Sequence, residues 1–262
     1  MTALSSAESC GEVIQRAWER RTARKWLLRA GIGAGAVYAA GDLLSGLLYD
    51  GYSFADQAIS ELSAYGSPVR PLGVAFIAVH GLLGFAFCVG VWLSAGGSRA
   101  LRWTAAFLFA ASAVTAPLHP FFPMSSRGME TGFNDTMHIV LTMAFVPLVT
   151  AAMVASVFAF RGWFRLYAIA SLGVLVVAGG LAGRLMEDIA KDLPTPWLGA
   201  FERVNAYTLF AWMAMLAVVL LRRIRRVSGP EPGGVQAPAV SGQPIGTDDE
   251  ERHAREQAPL VR

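Results

Sequence analysis

Residues 71–94 read PLGVAFIAVHGLLGFAFCVGVWLS and contain no Asp, Glu, Lys or Arg. A helix needs ~20 predominantly apolar residues to cross the ~30 Å hydrocarbon core of a bilayer. Lipid offers no partner to an unpaired backbone N–H or C=O group, so a crossing segment of this kind must be an α-helix. This stretch therefore predicts a transmembrane helix.

Five more apolar stretches have similar length and character. The chain has 262 residues, of which 54% are hydrophobic and 16% are charged, whereas soluble domains are about 25% charged. We therefore predict an all-α membrane protein, a bundle of six transmembrane helices. The spans are predicted near 27–48, 71–94, 101–118, 136–158, 166–185 and 200–221.

The Lys and Arg residues fall on alternate sides of these six runs. Most lie in the N-terminal segment, in the turns after the second and fourth runs, or after the sixth run. Cytoplasmic loops carry an excess of Lys and Arg, so we predict that both termini are cytoplasmic. The net charge of +3 then comes mainly from these flanking cations. It favours membrane lipids as partners and disfavours nucleic acid.

Three regions follow from this pattern: a basic cytoplasmic segment 1–26, a transmembrane domain 27–225 and a tail 226–262. The tail is rich in Pro, Gly and Gln and carries the acidic run 248–251. Such a composition buries too little apolar surface to offset ordering entropy, so we predict a disordered cytoplasmic tail. Residues 12–26 fit either an amphipathic helix on the inner leaflet or, as we favour, a basic flank that orients the first span.

The first outer loop predicts a short interfacial helix over 54–64. Ser53 and Asp56 have the spacing of a capping box, with Asp in place of the usual Glu or Gln. Gly66 and Pro68 are placed to end the helix. Its polar side would form a lid over the outer end of the bundle.

Four short motifs follow one another along the chain, in and beside the outer loops. They are the stretch YDGYSFADQAISELS at 49–63, His119-Pro120, Asp135 with His138, and Glu202-Arg203-Val204. This arrangement, over roughly residues 27–225, resembles the bacterial and archaeal membrane family called domain of unknown function 998. The resemblance implies a six-helix protein of a prokaryotic cell membrane, and the family supplies no established activity.

Two imidazoles and a carboxylate near the outer ends of spans three and four form a candidate metal set. Asp135 and His138 are three residues apart, which places them on one face of a helix, and His119 ends the preceding span. His119, Asp135 and His138 could therefore bind zinc and leave a position for water. Ser60 or Glu61 on the lid could add a nucleophile, a base or a further ligand, and the candidate catalytic residues are therefore Ser60, Glu61 and Asp135. In the alternative interpretation, Asp135 caps its helix and both histidines are structural.

Ionisable residues inside the spans suggest a buried ion pair. Asp42 in span one and Arg184 in span five are predicted to pair, because such groups face the bundle interior with partners. Glu202 and Arg203 open the last span and could line the same pocket. His80 lies near the midplane among apolar neighbours, where a neutral, singly hydrogen-bonded ring is the default.

These residues favour a polar pocket on the extracytoplasmic side. It would bind, and could hydrolyse, a lipid or lipid-linked molecule. One alternative is a small proton-coupled transporter that uses Asp42, His80 and Arg184. Another is a non-catalytic membrane scaffold. The small-residue spacings of Gly31 with Gly35 and of Gly179 with Gly183 also suit a homo-oligomer.

Overall fold

The computed structural model describes residues 2–227, with side chains over 15–114 and 117–226. This part of the chain is helical and contains no strand, which confirms the predicted all-α class. The α-helices are α1 Thr2–Leu48, α2 Arg70–Leu93, α3 Arg99–Leu118, α4 Phe133–Ala159, α5 Trp163–Ala190 and α6 Leu198–Val227. A 3-10 helix occupies Ile59–Ser63.

Five segments are long and apolar enough to cross a membrane. They are α2, α4, α5, the Gln15–Leu48 part of α1 and the Leu198–Arg226 part of α6. The remaining helix, α3, has 20 residues. A transmembrane helix is usually about that long or slightly longer. The chain is therefore a helical membrane protein.

The helices extend beyond most of the predicted spans. Helix α1 begins at Thr2 and runs without a break past residue 26, where we had placed the end of a separate basic segment. An α-helix bonds its own backbone groups, so it can continue from lipid into a polar flank. Residues 228–262, the bulk of the predicted disordered tail, lie outside the described residues.

Successive helices pack against one another, α1 on α2 and so on to α5. One large apolar core contains residues from all six helices. Trp212 of α6 and Phe87 of α2 are its largest fully buried side chains. Further core members, one from each of the other helices, are Leu28, Leu101, Met153 and Phe164.

The glycines proposed for a homo-oligomer are mostly used inside the chain. A Cβ atom on Gly31 would lie 2.4 Å from the Phe87 ring, and one on Gly179 would lie 2.7 Å from the Asn205 side chain. Gly35 likewise lies against Phe210, whereas Gly183 faces open space. Three of these four glycines thus allow close packing between helices of one molecule, which small residues favour in membranes.

Candidate functional site

Three loops, 49–69, 119–132 and 191–197, meet at one end of the bundle. Together with the adjoining ends of α1 and α6 we call them the polar cap. The Tyr65 amide donates to the Met124 carbonyl (2.9 Å), which joins the first loop to the second. The Ala200 amide at the start of α6 donates to the Ala55 carbonyl (2.9 Å). Backbone hydrogen bonds therefore join the first loop to the second loop and to the start of α6.

A buried ion pair lies at the base of the polar cap. The Arg203 guanidinium donates to both Asp42 oxygens, from Nε at 3.0 Å and from Nη2 at 2.7 Å. Asp42 is only 4% exposed and also accepts a hydrogen bond from the Tyr207 hydroxyl. Nη2 donates to the Tyr52 hydroxyl at 2.7 Å. The remaining donor, Nη1, contacts the carbonyls of Phe54, Gln57 and Gly199.

The structure corrects the predicted partner of Asp42. Arg184 is exposed on α5, and the cation on Asp42 is Arg203 of α6. The sequence locates a carboxylate one or two helical turns inside span one, but it does not reveal which helix lies beside it. Asp42 of α1 and Arg203 of α6 are 161 residues apart in the chain, so only the tertiary structure shows that they pair.

A second ion pair ties all three loops together. The Arg127 guanidinium donates to Glu61 from Nε at 2.8 Å and from Nη2 at 3.0 Å. Nη2 also donates to the Thr195 hydroxyl at 2.6 Å, and Nη1 to the Leu193 carbonyl at 3.2 Å. Thr195 in turn donates to the Asp56 carbonyl at 2.7 Å. Bidentate arginine–carboxylate pairs are geometrically specific, so this contact fixes the positions of the three loops relative to one another.

The predicted interfacial helix is mostly a set of turns. The Asp56 amide donates to the Ser53 hydroxyl at 3.2 Å, which is one half of the predicted capping box, and that hydroxyl donates to the Asp56 carboxylate at 3.0 Å, whereas the Ser53 amide donates to the Gln57 side chain at 2.8 Å. Asp56 also accepts from the Trp197 amide at 3.0 Å, and this bond and the one from Ser53 lower the pKa of its carboxyl group. Only Ile59–Ser63 is helical. The prediction of a helix over all of 54–64 was wrong. Asp56 and Glu61 bond groups of the other loops, the Trp197 amide and the Arg127 guanidinium, and the chain around them forms turns.

Glu202 reaches the 3-10 helix from α6. Its Oε2 atom accepts a hydrogen bond from the Ile59 amide at 2.6 Å. Ser60, a candidate nucleophile in the sequence, has a buried hydroxyl with no hydrogen-bond partner among the described residues. The other lid candidate, Glu61, is held by Arg127, so its oxygens already have partners.

The predicted zinc set is only partly assembled. The His119 and His138 rings lie 5.0 Å apart between centroids, and His138 Nδ1 donates to the Phe122 carbonyl at 3.1 Å. Asp135, however, accepts from the Ser125 amide at 2.6 Å and the Gly132 amide at 2.9 Å. Over the described residues, no three His, Cys, Asp or Glu side chains converge as metal ligands. The interpretation of Asp135 as a cap fits this geometry better than the metal set.

His119 follows the last residue of α3 and is half-buried. Burial, and then the neighbouring His138, lower the pKa of its imidazole to about 4. Its Nε2 atom is buried without a hydrogen-bond partner in the described part of the chain. The ring is therefore neutral at pH 7.

His80 lies deeper in the bundle, away from the polar cap. Its Nδ1 atom donates to the Ala34 carbonyl at 3.0 Å. Its ring lies between Tyr38 and Phe210, with centroids 5.2 and 4.9 Å away. These contacts fit a neutral packing histidine and do not connect it to Arg184.

An open cleft lies in the polar cap. Its volume is about 390 Å³, and its lining residues are Asp56, Gln57, Arg127, Pro194, Thr195 and Pro196. Our sequence interpretation did not single out Arg127. The signal that could have found it is an isolated cation in a loop that the sequence predicts to be outside, where few cations are expected.

The fold and the polar cap together define a class of protein. It is a helical membrane protein with several apolar helices and, at one end of the bundle, polar loops that are hydrogen-bonded to one another. The family model described as "Protein of unknown function (DUF998)" matches residues 32–219, and the chain belongs to this family. This confirms the resemblance found in the sequence. No curated protein and no solved structure matches the chain.

Proposed function

We propose that the protein crosses a prokaryotic cell membrane six times, with both termini cytoplasmic and the polar cap outside. Helix α3 packs between α2 and α4, and its 20 residues span ~30 Å at ~1.5 Å per residue. The opposite end carries the arginines of the α2–α3 and α4–α5 turns. The positive-inside rule supports a cytoplasmic location for that end.

Cysteine labelling tests this orientation. Pro194 lies on the rim of the cleft, and Gly97 lies in the α2–α3 turn at the other end. A membrane-impermeant thiol reagent added to intact cells should label Pro194→Cys and leave Gly97→Cys unlabelled. The reverse result would place the polar cap in the cytoplasm.

We further propose that the cleft binds the polar headgroup of a lipid or lipid-linked molecule. The observation that carries this proposal is the cleft itself, which presents a cation and an anion on one open surface. Beyond its bonds to Glu61 and the loops, Arg127 keeps one Nη1 N–H that bonds no group in the described part of the chain, and this donor could meet a phosphate, which arginine recognises well. The exposed Asp56 carboxylate could meet an ammonium group. A zwitterionic headgroup such as phosphoethanolamine has this chemistry.

The geometry favours binding over hydrolysis. Two of the three candidate catalytic groups, Glu61 and Asp135, have their oxygens engaged by Arg127 or by loop amides. A general base must lie within hydrogen-bond reach of the proton that it takes. No described side chain bonds the Ser60 hydroxyl.

A bulky residue on the cleft wall tests headgroup binding. Pro194→Trp should fill the cleft without removing any hydrogen-bond donor. Native mass spectrometry with phosphatidylethanolamine should show bound lipid on the wild type and at least tenfold less on this variant. Leu193→Trp, next to it but outside the lining, is the matched control and should retain the lipid. Equal retention by both variants would exclude the cleft.

A further inference from the structure

We propose that Glu202 is a proton-binding site, whose carboxyl group holds a proton in the resting protein. Through it the polar cap gains or loses one unit of charge. The inference rests on the ion pairs inside the cap and does not depend on headgroup binding in the cleft.

The interior of the cap holds more carboxylates than cations. Asp42 has Arg203 as its bidentate partner, and Glu61 has Arg127. No Lys, Arg or His among the residues with described side chains forms an ion pair with Glu202. A third ionised carboxylate would therefore have no compensating charge of its own.

Arg203, which is adjacent in sequence, acts on Glu202 only through space and donates no hydrogen bond to it. A guanidinium has five N–H donors in a fixed fork. In Arg203 these donors contact Asp42, the Tyr52 hydroxyl and three backbone carbonyls. Its hydrogen-bonding capacity is already used.

Negative or neutral groups face Glu202 from the other elements around it. Helix α1 contributes Asp42 and Tyr38, and the 3-10 helix contributes Glu61. Tyr52 approaches from the first loop. Two like charges near a partly buried carboxylate disfavour its ionised form. The Ile59 amide, which donates to Oε2 at 2.6 Å, opposes this repulsion, so burial of the carboxyl group is the main cause that favours the bound proton.

Glu202 is half-buried and lies about one turn from the start of α6, at the end of the helix that adjoins the loops. On ionisation the O–H bond of the carboxyl group breaks, the proton passes to water, and the carboxylate stays beside Asp42 and Glu61. The resulting repulsion should loosen the contact between α6 and the 3-10 helix. A change in external pH would then alter the contact between α6 and the first loop through Glu202.

Infrared spectroscopy tests the protonation state directly. The full-length protein in lipid nanodiscs at neutral pH should show the carbonyl stretch of a protonated carboxylic acid, shifted in heavy water. Glu202→Gln should abolish this band, while Glu61→Gln, the same chemical change on a paired carboxylate, should leave it. A wild-type spectrum without the band, or a band that survives in Glu202→Gln, would overturn the proposal.

Stability against pH gives a second, independent measurement. If the folded state holds a proton that the unfolded state has lost, stability falls as pH rises. The wild-type melting temperature should therefore fall from mildly acidic to mildly alkaline pH, and Glu202→Gln should flatten that fall. Glu61→Gln should lower the melting temperature at every pH without flattening it. A stabilisation of the wild type by added sodium that is absent in Glu202→Gln would instead assign a metal cation to this carboxylate.

Discussion

The apolar core and the polar cap are held together in different ways. In the core, Phe87 and Trp212 fill space between helices, and glycines such as Gly31 let them approach. Lipid tails are as apolar as these side chains, so the gain in the core comes largely from close packing. In the cap, arginines lie between carboxylates and loop carbonyls. Removal of one partner there leaves a buried charge uncompensated. A single substitution in the cap should therefore lower the free energy of unfolding more than one in the core.

The largest effect is expected at the base of the cap. Asp42→Asn removes the charge that compensates Arg203 and should lower the free energy of unfolding by about 3–5 kcal/mol. Denaturant unfolding in detergent micelles measures this loss. The control is Arg184→Gln, which removes the partner expected from the sequence and should change stability little. A comparable loss in both variants would contradict the observed pairing.

A smaller effect is expected where the α6 start approaches the first loop. A Cβ atom on Gly199 would lie 2.1 Å from the Gln57 carbonyl oxygen, so Gly199→Ala must displace backbone. We expect a loss of about 1–3 kcal/mol in unfolding free energy, as for other overpacked sites. Gly183→Ala, where the added methyl meets open space, should be neutral or slightly stabilising. An equal change in unfolding free energy for the two variants would show that the loop at Gln57 shifts to accommodate the methyl group without loss of stability.

Acid should weaken the region around His119. An imidazole titrates near 6.5 when unfolded and at about 4 here, so the unfolded state binds more protons between these values. The contribution of His119 to the free energy of unfolding should therefore decrease as pH falls below about 6.5, by about 1–2 kcal/mol near pH 5, opposite in sign to the effect proposed for Glu202. Melting curves of wild type and His119→Asn across this range measure it. An identical acid response in the variant would show that another group is responsible.

The smallest effect is expected at the exposed pair of Lys191 and Glu187. Their side chains are 58% and 83% exposed at an N–O distance of 3.5 Å. Exposed pairs contribute about 0–1 kcal/mol, so Glu187→Gln should barely change the melting temperature. A loss as large as that of Asp42→Asn would remove the contrast between buried and exposed pairs.

The sequence predicted the helices well because membrane insertion imposes a local rule. Each apolar run must bond its own backbone, so length and hydropathy reveal it without knowledge of its neighbours. The capping contact between Ser53 and Asp56 was also predictable, since its two residues are three apart. The longer helix proposed at 54–64 failed because Glu61 and Asp56 bond loop groups that lie far away in the chain.

The candidate site was predicted less well. Asp42, Glu202 and Arg203 were recognised as pocket residues, but the partner of Asp42 was assigned to the wrong helix. Arg127 was not selected, although it joins all three loops. The histidine pair was expected to recruit Asp135, whose oxygens instead receive amides 3 and 10 residues away.

The sequence by itself determined that this chain is helical, apolar enough for a membrane and a member of its family. Those properties depend on runs of neighbouring residues and on short ordered motifs. Only the tertiary structure decided which carboxylate meets which arginine, and that Glu202 is left without one. Ion pairs form between residues as far as 161 positions apart, and their choice depends on helix packing that no local pattern encodes.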